Sequence, residues 1–165
     1  DFAASTEASN AYGLIGSVAN AIAPGKRPLS SMSPTMVDGP GGTLVLGTPG
    51  GSRIVTMVAL GILHFIEGAD VSAIVSAPRY HQQYLPDVVE FESGAFPGDE
   101  PARLAQMGYT LKPVERAYGN MQAILDAANG VTAASDPRGV GSASVIAQPA
   151  AIVVPAASVT RPPAP

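Results

Sequence analysis

A chain of 165 residues is long enough for one domain with its own core, since a domain near 150 residues buries about 68–70% of its unfolded surface. A net charge of −4 with only 13% charged residues leaves no basic footprint for nucleic acid. Without cysteine there is neither a disulfide nor thiol catalysis, and two histidines make no metal cluster, so neither a metal nor a cofactor is expected.

Residues 1–41 carry repeated Gly, Pro, Ser and Asn with few apolar runs, which predicts mostly loop with short extended pieces. The compact apolar run 43–48, bounded by glycines, predicts a buried strand. Ser52 is placed as an N-cap. After it Ile54, Met57, Val58, Gly61, Ile62 and Phe65 recur at helical spacing to a stop near Gly68. This longest apolar stretch has about 13 residues, short of the ~20 that span a bilayer, so it reads as a buried helix and no membrane span is expected.

Asp70 caps a second, short helix through Ser76, and Pro78 prevents its continuation. Residues 88–92 predict a strand, about 98–107 a helix ending at Gly108, and 109–114, 119–127 and 131–135 further strands. Asn129-Gly130 between the last two is a hairpin signal. From Ser142 the chain is Ala, Val and Pro with one charge, ending Arg161-Pro162-Pro163-Ala164-Pro165. That composition favours an extended or disordered tail over 142–165, leaving 1–141 as the folded part, with no internal repeat.

Two short stretches bear chemistry. Pro28-Leu29-Ser30-Ser31-Met32-Ser33-Pro34 sets adjacent hydroxyls on a loop restricted by prolines, and hydroxyls can rotate their protons toward a carboxylate. Gly47-Thr48-Pro49-Gly50-Gly51-Ser52-Arg53 runs two glycines into a helix start, where backbone N–H groups stand unpaired and the dipole is positive. Together they suggest an anion-handling site, and such donors can stabilise an oxyanion. The plain alternatives are a solvated serine loop and an ordinary strand-to-helix turn. Lys26, Arg27, Arg53 and Arg79 read as supports, bonded to backbone carbonyls or to a buried acid. His64, inside the apolar helix, reads as a packed histidine, and His81 as structural.

The same residues carry a family resemblance. Asn10-Ala11-Tyr12-Gly13-Leu14, then Lys26-Arg27-Pro28-Leu29-Ser30-Ser31-Met32-Ser33-Pro34-Thr35, then Gly50-Gly51-Ser52-Arg53-Ile54 resemble the small subunit of gamma-glutamyltranspeptidases. Ala77-Pro78-Arg79-Tyr80-His81-Gln82-Gln83-Tyr84-Leu85-Pro86-Asp87 and Ala134-Ser135-Asp136-Pro137-Arg138 continue the pattern in the same order. The resemblance covers roughly residues 1–141 and implies an α+β Ntn-hydrolase αββα sandwich, of which this chain supplies part. It further implies that Gly50 and Gly51 form the oxyanion hole and that Ser30 and Ser31 bind the alpha-carboxylate of a gamma-glutamyl donor, aided by an arginine of the large subunit. Asp1 matches the acid that grips the alpha-amino group, a charge-assisted pair.

One departure stands against these matches. The family exposes a nucleophilic threonine by self-cleavage, in a Thr-Thr-His-Tyr/Phe-Ser type context, and no such context occurs here; Thr6 and Thr35 have other neighbours. The chain is therefore expected to be the C-terminal part of a small subunit, a fragment or a chain lacking its upstream residues, and inactive alone. The absence of an initiator methionine and signal peptide agrees with internal processing or truncation.

The resemblance implies gamma-glutamyl transfer and hydrolysis of glutathione-type donors through a threonyl ester, with an amino acid, a peptide or water as acceptor. Its implied partner is the large subunit of the same precursor, in a periplasmic or secreted setting. An acylase of beta-lactam side chains or other amides in the same family is the alternative within this class. A non-catalytic structural or binding subunit is the alternative outside it.

Overall fold

The computed structural model describes residues 2–3, 5 and 8–146. Four strands form an antiparallel sheet: β1 (Thr35–Gly39), β2 (Gly42–Gly47), β6 (Gln122–Ala127) and β7 (Gly130–Ser135), in the spatial order β1-β2-β6-β7. Between β2 and β6 the chain builds the helices α1 (Ile54–Ile66), α2 (Val71–Ser76) and α3 (Glu100–Gln106). It also builds a small sheet ordered β3-β4-β5, from Tyr80–Gln82, Val89–Phe91 and Leu111–Pro113. β4 and β5 run parallel, joined through α3, as a parallel pair requires a crossover.

Alternation along the strands assigns the faces of the larger sheet. Leu44, Leu46, Ala123 and Ala134 point inward and are buried against Met57 and Phe65 of α1 and Val71, Ile74 and Val75 of α2. At Gly61 the helix lies so close to the sheet that an added Cβ would come within 2.6 Å of Leu46 Cδ1. On the other face Met36, Val45, Ile124 and Ala133 stand opposite one another across all four strands. Of this row Met36 is 71% exposed and Ile124 47%. The larger sheet thus carries α1 and α2 as a helix layer on one side, with an apolar row on its other side.

The expected elements largely appear. The 43–48 strand is β2, the long apolar helix is α1, and the hairpin at Asn129-Gly130 turns through Ala128 and Asn129. Asp70 caps α2, its carboxylate accepting from the Ala73 amide at 2.8 Å. The region 1–41 contains β1 as well as loop. β1 is an edge strand with Met36 and Val37 as its apolar content, and its pairing partner supplies most of the order.

Ser52 does not cap α1. Its hydroxyl donates to Gln83 Oε1 at 2.8 Å, and the helix is entered through a 3₁₀ turn, Gly51–Arg53. His64 is not packed in the core: about a third of its side chain is exposed, with Nδ1 at 3.4 Å from Glu67 one turn on. It lies beside the buried stripe that Met57, Gly61 and Phe65 define. Among the described residues no helix is long and apolar enough to cross a membrane. The expected tail falls outside the described residues from 147 onward, and 142–146 carry no regular element.

Candidate active site

The turn after β2 brings the two chemical stretches together. β2 ends at Gly47, and Gly50 (φ +153°) and Gly51 (φ +59°) reverse the chain into α1. Both positions favour glycine for φ, and at Gly51 packing adds to this, since a Cβ there would lie 2.3 Å from the Tyr12 ring. Neither amide sits in a sheet ladder, and neither donates to another group among the described residues. These residues, with Ser30, Ser31 and Tyr12, line a cleft of about 910 Å³. None of the described residues lining it is charged.

The serine loop is held by its own backbone. Ser30 Oγ accepts from the Met32 amide at 3.1 Å, the Ser31 carbonyl accepts from Ser33 Oγ at 3.1 Å, and the Ser33 carbonyl accepts from Thr35 Oγ1 at 2.9 Å. Ser30 keeps its hydroxyl proton for another acceptor, and the Ser31 hydroxyl has no partner among the described residues. The described part of the lining presents hydroxyls and free amides, groups suited to an anion or to the oxygen of a polarised carbonyl. Asp1 lies outside the described residues, so its place in the cleft rests on the resemblance alone.

Of the four cationic side chains expected to act as supports, Lys26, Arg53 and Arg79 are occupied elsewhere, whereas exposed Arg27 makes no ion pair or side-chain hydrogen bond among the described residues. Lys26 Nζ donates to the carbonyls of Ala21 and Val18 at 3.1 and 3.4 Å. Arg53 pairs with Glu90 and stacks over the Tyr118 ring, 4.6 Å from its centroid. Burial alone would raise the Glu90 carboxyl, but Arg53, and then Lys112, hold it below its usual value. Burial pushes the Tyr118 hydroxyl up to about 12. His81 is buried, its Nδ1 bonded to Thr56 of α1 and its Nε2 to Gln83 Oε1 at 2.9 Å, which gives it the structural place expected.

Behind α2 lies a charged cluster. Arg79 donates to Asp136 Oδ2 at 2.6 Å and to the carbonyls of Val75 and Tyr118. Arg138 reaches both Asp136 and Glu92, and also the carbonyls of Val75, Ser76 and Ala77 where α2 ends. Two guanidinium groups thus satisfy the last carbonyls of a helix. Burial would raise the Asp136 carboxyl, but the Arg138 and Met121 amides and the Arg79 guanidinium hold it below its ordinary range. Sequence reasoning did not single out Glu92, Gln83, Tyr12 or Thr48. Tyr12, Gln83 and Thr48 all stood within the quoted stretches, but the partner of Thr48 Oγ1, the Asn120 amide that donates to it at 3.2 Å, lies 72 residues away.

The model of the gamma-glutamyltranspeptidase family matches residues 1–146, and the chain belongs to that family. It is 43% identical over 143 residues to the glutathione hydrolase proenzyme of Escherichia coli K12, covering 85% of this chain and 24% of that protein. The glutathione hydrolase proenzyme of Pseudomonas aeruginosa is 42% identical over 150 residues, covering 88% of this chain and 27% of that protein. The chain thus spans about a quarter of the length of these curated relatives.

Among solved structures, the gamma-glutamyltranspeptidase of Pseudomonas nitroreducens complexed with L-DON matches with a TM-score of 0.76 at 41% identity, over 88% of this chain and 78% of that one. A Helicobacter pylori gamma-glutamyltranspeptidase mutant gives 0.73 at 41% identity, over 84% and 77%. The α+β architecture described above is that of these Ntn hydrolases.

Proposed function

We propose that this chain is the C-terminal part of the small subunit of a gamma-glutamyltransferase and glutathione hydrolase, and that it carries the loops that hold the donor and the oxyanion. The observation that supports this most is the meeting of Ser30-Ser31 and Gly50-Gly51 along one cleft. On this reading residues 1–141 complete an αββα sandwich with the large subunit of the same precursor. The exposed row Met36, Val45, Ile124 and Ala133 supports a second sheet packed there, since sheets bury apolar faces against one another. The enzyme is periplasmic or secreted, an assignment made on family habit alone.

The chemistry follows from the parts. A threonine from elsewhere in the complete enzyme attacks the gamma-carbonyl of the donor with its Oγ, its own amine taking the hydroxyl proton. The oxygen gains negative charge and is met by the Gly50 and Gly51 amides, donors worth about 2.7–4 kcal/mol each in comparable sites. The C–N bond then breaks, the proton passes to the leaving nitrogen, and water or an amine releases the gamma-glutamyl group from the ester. Ser30 and Ser31 hold the donor's alpha-carboxylate. Because no described lining residue is charged, its countercharge comes from the large subunit, and Asp1 takes the alpha-ammonium. The chain alone turns nothing over.

The test replaces both hydroxyls in the complete enzyme. Ser30→Ala with Ser31→Ala should lower kcat/KM toward a gamma-glutamyl anilide by about 1.5–3 kcal/mol per lost hydrogen bond to the charged carboxylate, with Tm nearly unchanged. Unaltered kcat/KM would show that the carboxylate is held elsewhere.

A further inference from the structure

The Gly50-Gly51 turn is packed against the Tyr12 ring, so whatever places Tyr12 also shapes the turn. Gln83, just beyond β3, bonds to both sides of this contact. Its Oε1 accepts from Ser52 Oγ at 2.8 Å and from His81 Nε2 at 2.9 Å. Its Nε2 donates to the carbonyls of Tyr12 and Leu85, both at 2.6 Å. Two lone pairs and two N–H groups are thereby all used.

The orientation of this carboxamide is fixed by its surroundings. Reversing the amide would set its oxygen against two carbonyl oxygens, which cannot donate. It follows that His81 carries its proton on Nε2 and that Nδ1 accepts from the Thr56 hydroxyl of α1. A continuous chain of bonds therefore runs from α1 through His81 and Gln83 to Ser52 on one branch and to Tyr12 on the other. Ser52 directly follows Gly51, and the Tyr12 ring covers Gly51.

We propose that Gln83 is a positioning residue for the Gly50-Gly51 amides, holding the turn through Ser52 and the ring that packs on it through the Tyr12 carbonyl. This rests on the reading of those amides as oxyanion donors, and Gln83 itself touches no reacting atom. The geometry of the donors is set in advance by a side chain from another element, which is how preorganised donors avoid reorganisation during the reaction. The 10–14 segment is otherwise tied mainly to itself: the Tyr12 and Leu14 amides donate to Asn10 Oδ1, the Gly13 amide to the Asn10 carbonyl, and the Asn10 amide to the Leu14 carbonyl. Losing the Gln83 bond frees that segment as a unit.

Gln83→Glu in the complete enzyme separates the two branches, because it keeps the shape and the acceptors for Ser52 and His81 but has no N–H for Tyr12. Amide hydrogen exchange at Asn10, Tyr12, Gly13 and Leu14 should speed up, and kcat/KM should fall by roughly 10²-fold, the scale of a 1 Å misplacement. In a Tyr12→Ala background the same substitution should cost little more, since the ring through which it acts is already gone. Should the added charge block maturation, Gln83→Met takes its place; it removes the bonds to Ser52 and His81 as well as those to Tyr12 and Leu85, so it reads the loss of both branches together. Unchanged exchange in the 10–14 segment, or losses that simply add in the double mutant, would overturn the proposal. If the complete wild-type enzyme fails to turn over gamma-glutamyl donors, the functional reading falls, while the exchange measurement still decides whether Gln83 holds Tyr12.

Discussion

The charged cluster behind α2 and the cleft at the Gly50-Gly51 turn treat polar groups in opposite ways. In the cluster each carboxylate accepts four hydrogen bonds: Asp136 from Arg79, Met121 and twice from Arg138, and Glu92 from Arg79, Tyr118 and twice from Arg138. Full pairing is what makes buried charge tolerable at all. At the cleft the Gly50 and Gly51 amides and the Ser31 hydroxyl keep their hydrogen-bonding capacity unspent among the described residues. The contrast separates scaffold from site. The buried carboxylates that hold the fold are saturated by the chain itself, whereas the groups proposed to meet a ligand are left open at a surface where water can serve.

The largest expected effect breaks the saturated region. Asp136→Asn in the complete protein removes the charge facing Arg79 and Arg138 and should cost about 3–5 kcal/mol of stability, read from denaturant unfolding. Loss of activity should track loss of folded protein. The pH dependence has a definite sign. Because the Asp136 carboxyl is held below its unfolded value, near about 3.9, the unfolded state binds a proton first as pH falls. Its stabilisation is fully present above that unfolded value and is lost as pH drops through the folded one. The wild type should therefore weaken more steeply below about pH 4 than Asp136→Asn. Equal slopes would place the acid sensitivity elsewhere.

A smaller stability effect with a larger functional one is expected at the open region. Gly51→Ala keeps the amide but adds a Cβ 2.3 Å from the Tyr12 ring at φ +59°. The left-handed backbone costs an alanine about 1–2 kcal/mol, and the ring must move as well. Displacement of the amide should lower kcat/KM by up to roughly 10²-fold. The informative quantity is the ratio: a Gly51→Ala enzyme that loses activity only in proportion to its folded fraction would erase the distinction between the two regions.

How far the sequence reached follows the same division. Local signals were readable: the 3.6-residue spacing of α1, the Asp70 cap and the Asn129-Gly130 hairpin each depend on neighbours a few residues apart. The motifs carrying Ser30, Ser31, Gly50 and Gly51 were recognisable, and their convergence on one cleft required the fold. Partnerships across long separations were not readable. Ser52 looked like a helix cap because serine usually is one there, but its hydroxyl is taken by Gln83, 31 residues on. Glu92, at the end of the expected 88–92 strand, carried no local sign of Arg138, its partner from 46 residues away. β1 agrees with the short extended pieces expected in 1–41, but its bounds were not legible, since an edge strand with two apolar residues draws its order from β2.

The smallest expected effect lies where the contrast fades, at the exposed end of the Glu90 pair. Lys112 Nζ is 3.3 Å from Glu90 Oε1, but its side chain is 63% exposed, and Arg53 already bonds the other carboxylate oxygen. Solvent screens such a contact, and holding a long side chain in one geometry costs entropy, so Lys112→Ala should change stability by less than about 1 kcal/mol at neutral pH. The sign is still defined. Lys112 helps hold the Glu90 carboxyl below its ordinary value, so its removal lets that carboxyl rise part of the way back, with Arg53 still in place. The difference between wild type and variant should be present above the unfolded value, near about 4.3, and should vanish as pH falls until Glu90 is protonated in both. It should also shrink with added salt, unlike the loss at Asp136, which is shielded from solvent ions. A large, salt-insensitive destabilisation by Lys112→Ala would show that the Glu90 pair belongs with the saturated interior.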